Sequence, residues 1–322
     1  MATSNSSSRP IRIGISLCLL GEKVRYDGGH KHDRFLTDTL GEYFEWVPVC
    51  PEVELGMGTP REPIHLVELQ GDLRLVGIRS KTDHTDAMRS YARRRAEQLA
   101  SENLSGYILK KDSPSCGLER VRVYQGPGHA TRSGRGLFAV ALAERFGNLP
   151  IEEEGRLCDP RLRENWIERV FAYHRLQSLW ATRWRIGDLV AFHTSHKLIL
   201  LAHAPKEYQQ LGRLIAGAKS LPRTELRACY EREFMAALSK LATRGRHTNV
   251  LQHMVGYFRE RLDDASRREL LDCIEDYRRG VVPLIVPVTL VAHYVRLFDI
   301  DYLKGQFYLA PHPKELALRN HV

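Results

Sequence analysis

Three short apolar runs in the N-terminal part of this chain each lead to a cysteine: IRIGISLC ends at Cys18, FEWVPVC at Cys50, and GYILKKDSPSC at Cys116. The runs are rich in β-branched and aromatic residues, and Gly, Pro or a helix start follows each cysteine, so the pattern predicts strands that stop there. In an open α/β sheet the C-terminal ends of parallel strands gather along one edge, where ligands bind. Thiols far apart in sequence would then face one point in space. Three sulfurs can hold a metal or an iron–sulfur cluster and leave one metal position open for chemistry. The bland alternative for each thiol is burial as a small core residue.

The elements between these runs fill in the architecture. HDRFLTDTLGEYF reads as an amphipathic helix, DLRLVGIRS as a strand or hairpin arm, and DAMRSYARRRAEQLASENL as a long helix capped by Thr82 or Asp83. GPGHATRSGRG reads as a Gly-rich loop, followed by the helix LFAVALAERFG. Such alternation over residues 11–150 predicts an α/β domain with a doubly wound, mostly parallel sheet. A polar tail (1–10) precedes it. The acidic, Pro-bearing stretch NLPIEEEGRLCDPRLREN marks a linker at 151–164. Beyond it, NWIERVFAYHRLQSLW, SHKLILLAHAPKEYQQLGRLIA, TELRACYEREFMAALSKLA, NVLQHMVGYFRERL and later segments carry helical periods, so residues 165–322 are expected to form an all-α domain.

The six cysteines include no CxxC pair and do not look like a disulfide framework. No apolar run is long enough to span a membrane, and the opening MATSNSSSRP lacks a secretory signal's apolar stretch, so a cytoplasmic location is expected. A net charge of +9 permits a polyanionic partner without requiring one. His193, His196, His247 and His253 lie on predicted helices with no acidic or cysteine partner at ligand spacing, which favours hydrogen-bonded contacts over a metal site.

The neighbours of the three cysteines carry the chemistry. Pro51-Glu52 places a carboxylate directly after Cys50, and Ser113 lies in the hydroxyl-rich turn before Cys116. Asp27 and His30, beside Gly28-Gly29, are weaker candidates for binding a substrate edge, and Arg25, Lys110 and Lys111 could offset thiolate charge. A carboxylate and a hydroxyl near three sulfurs and an open metal suit hydrolysis, with the metal as Lewis acid and the carboxylate as base. A zinc hydrolase with three cysteine ligands stays open beside an iron–sulfur enzyme.

In this order, SLCLLGEKVRYDGGHK, VPVCPEVELGMGTPREP, KKDSPSCG and GRGLFAVAL resemble the 2-thiouracil desulfidase family over residues 11–150. The resemblance implies a [4Fe–4S] cluster held by Cys18, Cys50 and Cys116. Its fourth iron would be free for a thiocarbonyl sulfur, and Glu52 and Ser113 would be the catalytic residues. WIERVFAYHRLQ, FHTSHKLILLAHAPKEYQQLG, HTNVLQHMVGYF, PLIVPVTLVAHYV and YLKGQFYLAPHPKELALRN resemble the YbgA-like helical family. The fusion is similar to the tRNA 4-thiouridine desulfidases, and GMGTPREP departs from the GLPTPR pattern of stand-alone desulfidases. The implied reaction turns thiouridine and water into uridine and sulfide, with Glu52 activating water and Ser113 bonding the base or the transient anion. The implied partner is thiolated tRNA, whose backbone would meet cations such as Lys197, Lys206, Arg278 and Arg279, with Arg213, Arg244 and Arg246 as further candidates. The competing readings are a desulfidase of free thiouracil and a non-catalytic iron–sulfur RNA-binding regulator.

Overall fold

The β-branched run at 12–16 forms strand β1 (Arg12–Ser16), which pairs in parallel with β2 (Glu45–Val49) on one side and with β5 (Leu104–Leu109) on the other. The computed structural model in which this is seen describes residues 10–126 and 129–321, so the expected tail lies outside the described residues apart from Pro10. A short strand β8 (Ile151–Glu153) adds to β5, giving a four-stranded parallel sheet in the order β2-β1-β5-β8. Every residue of β5 is buried, as expected when both faces of a parallel sheet are covered. Pro48 has no N–H to give a ladder and sits on the edge strand β2, where none is needed. Tyr107 of β5 lies across β1 at Gly14, where an added Cβ would come within 2.1 Å of the tyrosine ring. No larger residue fits under that ring.

The described residues also form a second sheet, which the sequence pattern does not predict. Strands β3 (Ile64–Leu69) and β4 (Asp72–Gly77) form a hairpin closed by Gln70 and Gly71, both at positive φ. Strands β6 (Val121–Gly126) and β7 (His129–Gly134) form another, and β3 and β6 join in parallel to give the order β4-β3-β6-β7. The expected single sheet is therefore two, and half of the expected Gly-rich loop is strand β7. The HDRFLTDTLGEYF segment is a short π and 3-10 turn pair over Phe35–Thr39 and Leu40–Glu42 rather than a full amphipathic helix. The helices here are α1 (Pro51–Glu54), α2 (Thr85–Leu99) and α3 (Leu137–Arg145), with Phe138 of α3 meeting Tyr91 and Tyr107 edge-on or tilted.

The chain divides by contacts into residues 1–158 and 159–322. The stretch expected to link them is mostly structured: β8 belongs to the parallel sheet, and Asp159 caps α4 (Pro160–Trp180) by accepting from the Arg161 and Leu162 amides at 2.9 and 3.0 Å. An acidic, Pro-containing composition looks like a connector, but here Glu152 and Glu153 are strand residues and Pro160 is a helix N1.

The C-terminal unit continues with α5 (Ile186–His203), α6 (Pro205–Ala216), α7 (Arg223–Leu238), α8 (Arg244–Val255), α9 (Asp264–Arg279), α10 (Ile285–Leu297) and α11 (Asp301–Lys304). Pro205 breaks the long period read across 195–216 into α5 and α6. Its core holds Trp166, Tyr230, Phe234, Phe258, Tyr277 and Tyr308. Within this apolar core stands a polar quartet. Arg319 donates to Glu164 at 2.9 Å and Glu168 at 3.3 Å, and His203 Nε2 meets the other Glu168 oxygen at 2.7 Å. Burial works to raise Glu168, but the His203 and Arg319 cations outweigh it and hold the carboxylate below its ordinary range. Burial likewise opposes charge on His203, and Glu168 outweighs it. Two carboxylates facing two cations make burial tolerable, and removing one partner strands a buried charge.

Arg319→Met is expected to destabilise the helical unit by about 3–5 kcal/mol, measured by urea denaturation followed by circular dichroism. Because Glu168 is depressed in the fold, its contribution is full above the unfolded carboxylate pKa of about 4.3. It is lost as pH falls, so acid should unfold this unit and Glu168→Gln should blunt that dependence.

Candidate functional site

Cys18, Cys50 and Cys116 follow β1, β2 and β5, the three adjacent strands at which chain order reverses in the parallel sheet. All three line one cavity of about 460 Å³ at the C-terminal ends of those strands. Cys18 sits in the 3-10 turn Leu17–Leu20, and its carbonyl accepts from the Lys31 amide at 2.9 Å. Cys50 is the N-cap of α1, its amide 3.3 Å from Glu54 Oε1. The Cys116 amide donates to Ser113 Oγ at 3.1 Å. The thiols are free and feel one another. Burial, then the charge of Cys50, pushes Cys18 up to about 11. Burial also raises Cys50, and burial followed by Glu52 raises Cys116 well above the usual thiol range. Among the described residues, no three His, Cys, Asp or Glu side chains form a group that could hold a single metal ion.

The Cys116 turn is held from behind by α3. The Phe138 and Ala139 amides at its start donate to the Ser115 carbonyl at 2.9 and 3.2 Å, and the Gly136 amide donates to the Gly117 carbonyl at 2.7 Å. A Cβ on Gly136 would lie 2.4 Å from the Ser115 carbonyl carbon and oxygen. This close backbone approach explains the glycine in GRGLFAVAL.

Glu52 and Ser113 both line the cavity, and the structure links them through a residue missed in the sequence. Glu52 Oε2 accepts from Arg61 Nε at 3.0 Å and from a second guanidinium nitrogen, while Oε1 accepts from Ser115 Oγ at 2.5 Å. Ser115 Oγ in turn lies 3.1 Å from Ser113 Oγ. Arg61 is itself fixed by the carbonyls of Val24 at 3.0 Å and Gly58 at 2.9 Å. Nothing in the spacing of DSPSCG distinguishes one hydroxyl from the other, and Arg61 lies in a loop with no periodic signal.

Asp27 and His30 are not brought in. Both are exposed and neither lines the cavity: Asp27 accepts from the Gly29 amide at 3.0 Å, and His30 Nδ1 from the His32 amide at 3.2 Å. The same segment turns Arg25, Tyr26 and Lys31 toward the cavity instead. With Arg61, Lys110 and Lys111 they give that wall a strongly cationic character against the acids Glu52 and Asp112.

In the helical unit, Lys197 and Arg213 share a cleft between α5 and α6 with His193, Tyr208 and Gln209. Lys206 is exposed on α6. Arg278 and Arg279 lie at the end of α9, both paired to Glu275, so these four candidates do not form one surface cluster through a shared site. Arg246 is engaged with the His203 carbonyl at 2.7 Å. Three of the four singled-out histidines are core members: His193, His196 and His247 contact Tyr230, the Phe192 carbonyl and Tyr308, and burial pushes their pKa values to about 4, 3 and 3, whereas His253 is exposed.

Comparison with known proteins agrees with this division. A family model described as 2-thiouracil desulfurase matches residues 13–154, and one described as a protein of unknown function (DUF1722) matches residues 197–313. The chain is 34% identical over 161 residues to the uncharacterized protein YbgA of Escherichia coli (strain K12), covering 50% of this chain and 95% of that protein. It is 33% identical over 109 residues to the uncharacterized protein YbbK of Bacillus subtilis (strain 168), covering 32% of this chain and 71% of that one. A solved structure titled as the [4Fe-4S]-dependent thiouracil desulfidase TudS is 33% identical, with 46% of this chain and 93% of that chain covered and a TM-score of 0.37.

Gly136→Ala is expected to cost about 1–3 kcal/mol through overpacking, whereas Gly147→Ala, with open space at its Cβ, should change stability by less than about 0.5 kcal/mol. Thermal unfolding of the two variants checks this; equal losses would contradict the clamp on the Cys116 turn.

Proposed function

The chain belongs to the 2-thiouracil desulfurase family through its N-terminal unit and to the family of YbgA through its helical unit, and from this we propose that it removes sulfur from 4-thiouridine in tRNA. The observation that carries the reading is the convergence of Cys18, Cys50, Cys116 and Glu52 on one cavity.

The chemistry of the donor set supports a [4Fe–4S] cluster in this reading. Three free thiols stand on one cavity, and the charges of Lys110 and Arg25 on its wall favour the Cys18 thiolate against the opposing effect of burial. Cys18, Cys50 and Cys116 would hold the cluster. When bound, it supplies a thiophilic iron with no protein ligand, suited to polarising a thiocarbonyl and retaining sulfide.

The protein's own groups supply the rest. Glu52 keeps a carboxylate oxygen toward the cavity and takes a proton from the water that attacks the ring carbon. One C=S bond and one water become C=O and hydrogen sulfide, and no electrons are exchanged. Ser113 joins the reaction as part of the hydrogen-bonded chain that ends on Glu52. Tyr26, 40% exposed on the cavity wall, gives a pyrimidine ring a face to stack on.

A thiolated base within folded tRNA must leave its stack to enter such a cavity, which calls for contacts to the RNA backbone elsewhere. The cleft of Lys197 and Arg213 supports this part of the reading, because neither cation has an ion-pair partner among the described residues.

The test is incubation of the anaerobically reconstituted full chain with thiolated tRNA, free 4-thiouridine and free thiouracil, followed by nucleoside analysis. Loss of 4-thiouridine from the tRNA with a matching gain of uridine is expected. Glu52→Gln should lower turnover about 10²- to 10⁴-fold and keep its iron, whereas Cys18→Ser, Cys50→Ser or Cys116→Ser should lose iron and activity together. Turnover confined to the free base would overturn the tRNA assignment, and inert protein with an intact cluster would overturn the desulfidase.

A further inference from the structure

The hydrogen-bonding capacity of Glu52 and Ser113 is nearly used up, and the way it is used separates their roles. A carboxylate has about four lone-pair sites. On Glu52, two of them on Oε2 meet the Arg61 guanidinium, and one on Oε1 meets the Ser115 hydroxyl. One site remains, on Oε1, and Glu52 is a cavity-lining residue. Ser115 is fully buried and does not itself line the cavity, so it reaches substrate only through Glu52.

The polarity of the chain follows from counting protons. Ser115 has a single hydroxyl proton, and the carboxylate, which can only accept, holds it at 2.5 Å. The 3.1 Å contact between the two serine hydroxyls therefore has Ser113 as donor. The lone pairs of Ser113 accept from the Ser115 amide at 3.3 Å and the Cys116 amide at 3.1 Å. With one proton given and two accepted, Ser113 has nothing left to offer a ligand.

We infer that Ser115 is a positioning residue: with Arg61 it aims the last open lone pair of Glu52 into the cavity, and Ser113 acts through it rather than on the substrate. The same chain ties the carboxylate to the backbone of Cys116, so base and sulfur ligand are set by one hydrogen-bonded unit. This rests on the reading of Glu52 as the base.

Steady-state kinetics on the reconstituted full chain test it, with iron content and melting temperature checked for every variant. Ser115→Ala should lower kcat about 10- to 100-fold, the range expected for losing a hydrogen bond to a charged group. Its KM and iron content should stay near wild type. Glu52→Ala/Ser115→Ala should be no slower than Glu52→Ala alone, because a group that works through Glu52 has nothing to position once it is gone. Ser115→Thr, which keeps the hydroxyl, should recover most of the rate, and Ser113→Ala should cost less than Ser115→Ala. Should Ser115→Ala lose iron or melt early, Ser115→Cys takes its place, with an intermediate kcat expected from the weaker thiol donor.

Three results would overturn the inference: wild-type rates in Ser115→Ala beside an inactive Glu52→Ala, multiplied losses in the double variant, or a Ser113→Ala defect that exceeds Ser115→Ala and appears in KM. A fully active Glu52→Ala would instead remove the reading of Glu52 as base, and the two failures are thereby told apart.

Discussion

The pairing of β1 with β2 on one flank and β5 on the other is the constraint from which the rest of the N-terminal unit follows. A parallel ladder aligns strand ends, and chain order reverses about β1, so the loops after these strands diverge and leave a crevice between them. Cys50 is the first residue beyond that edge and Cys18 the second, and Cys116 closes the hydroxyl-rich loop that follows β5. No local motif could gather them, because each belongs to a different loop. Gly14 makes the arrangement possible, since Tyr107 packs where any side chain at that position would stand.

Two solutions to burying charge recur in the molecule. At the cavity, Glu52 is saturated by Arg61 and Ser115 until a single direction of approach remains. In the helical unit, Glu164, Glu168, His203 and Arg319 neutralise one another away from water. The first leaves one lone pair uncommitted on a cavity-lining residue, and the second leaves none. Full mutual satisfaction suits a group that holds helices together, whereas incomplete satisfaction at a cavity wall suits a reacting one.

Much of this was legible in the sequence because strand ends, prolines and caps leave local marks. The three cysteines were placed by the runs before them, and Glu52 by its position after Cys50 and Pro51. What escaped was set by partners distant in sequence. The alternation in DLRLVGIRS announced a strand or hairpin arm at β4, but β3, β6 and β7 carried no such reading, nor did the pairing of β3 with β6 that makes a separate sheet. Asp27 and His30 had the right chemistry beside two glycines, yet the turn spends them on local amides and presents Arg25, Tyr26 and Lys31 instead. Ser115 and Arg61 matter only through Glu52, which no periodicity records. Glu152 and Glu153 read as a connector because a three-residue edge strand carries too few residues to show a period.

The second sheet has a consequence for how such a fold can diversify. Both of its hairpins are spliced into the chain downstream of a cavity cysteine, one between Cys50 and α2 and the other between Cys116 and α3. Its inner strand contributes Ile64 to the cavity, and Ile64, Asp112 and Pro114 also border a neighbouring hollow walled by His65, Arg122 and Tyr124. The rim that decides how large a guest is admitted is thus modular with respect to the sulfur-bearing edge. Hairpins can lengthen, shorten or change their aromatic cover while the parallel ladder keeps every thiol where it stands, so reach and reactivity are free to evolve on separate pieces of chain.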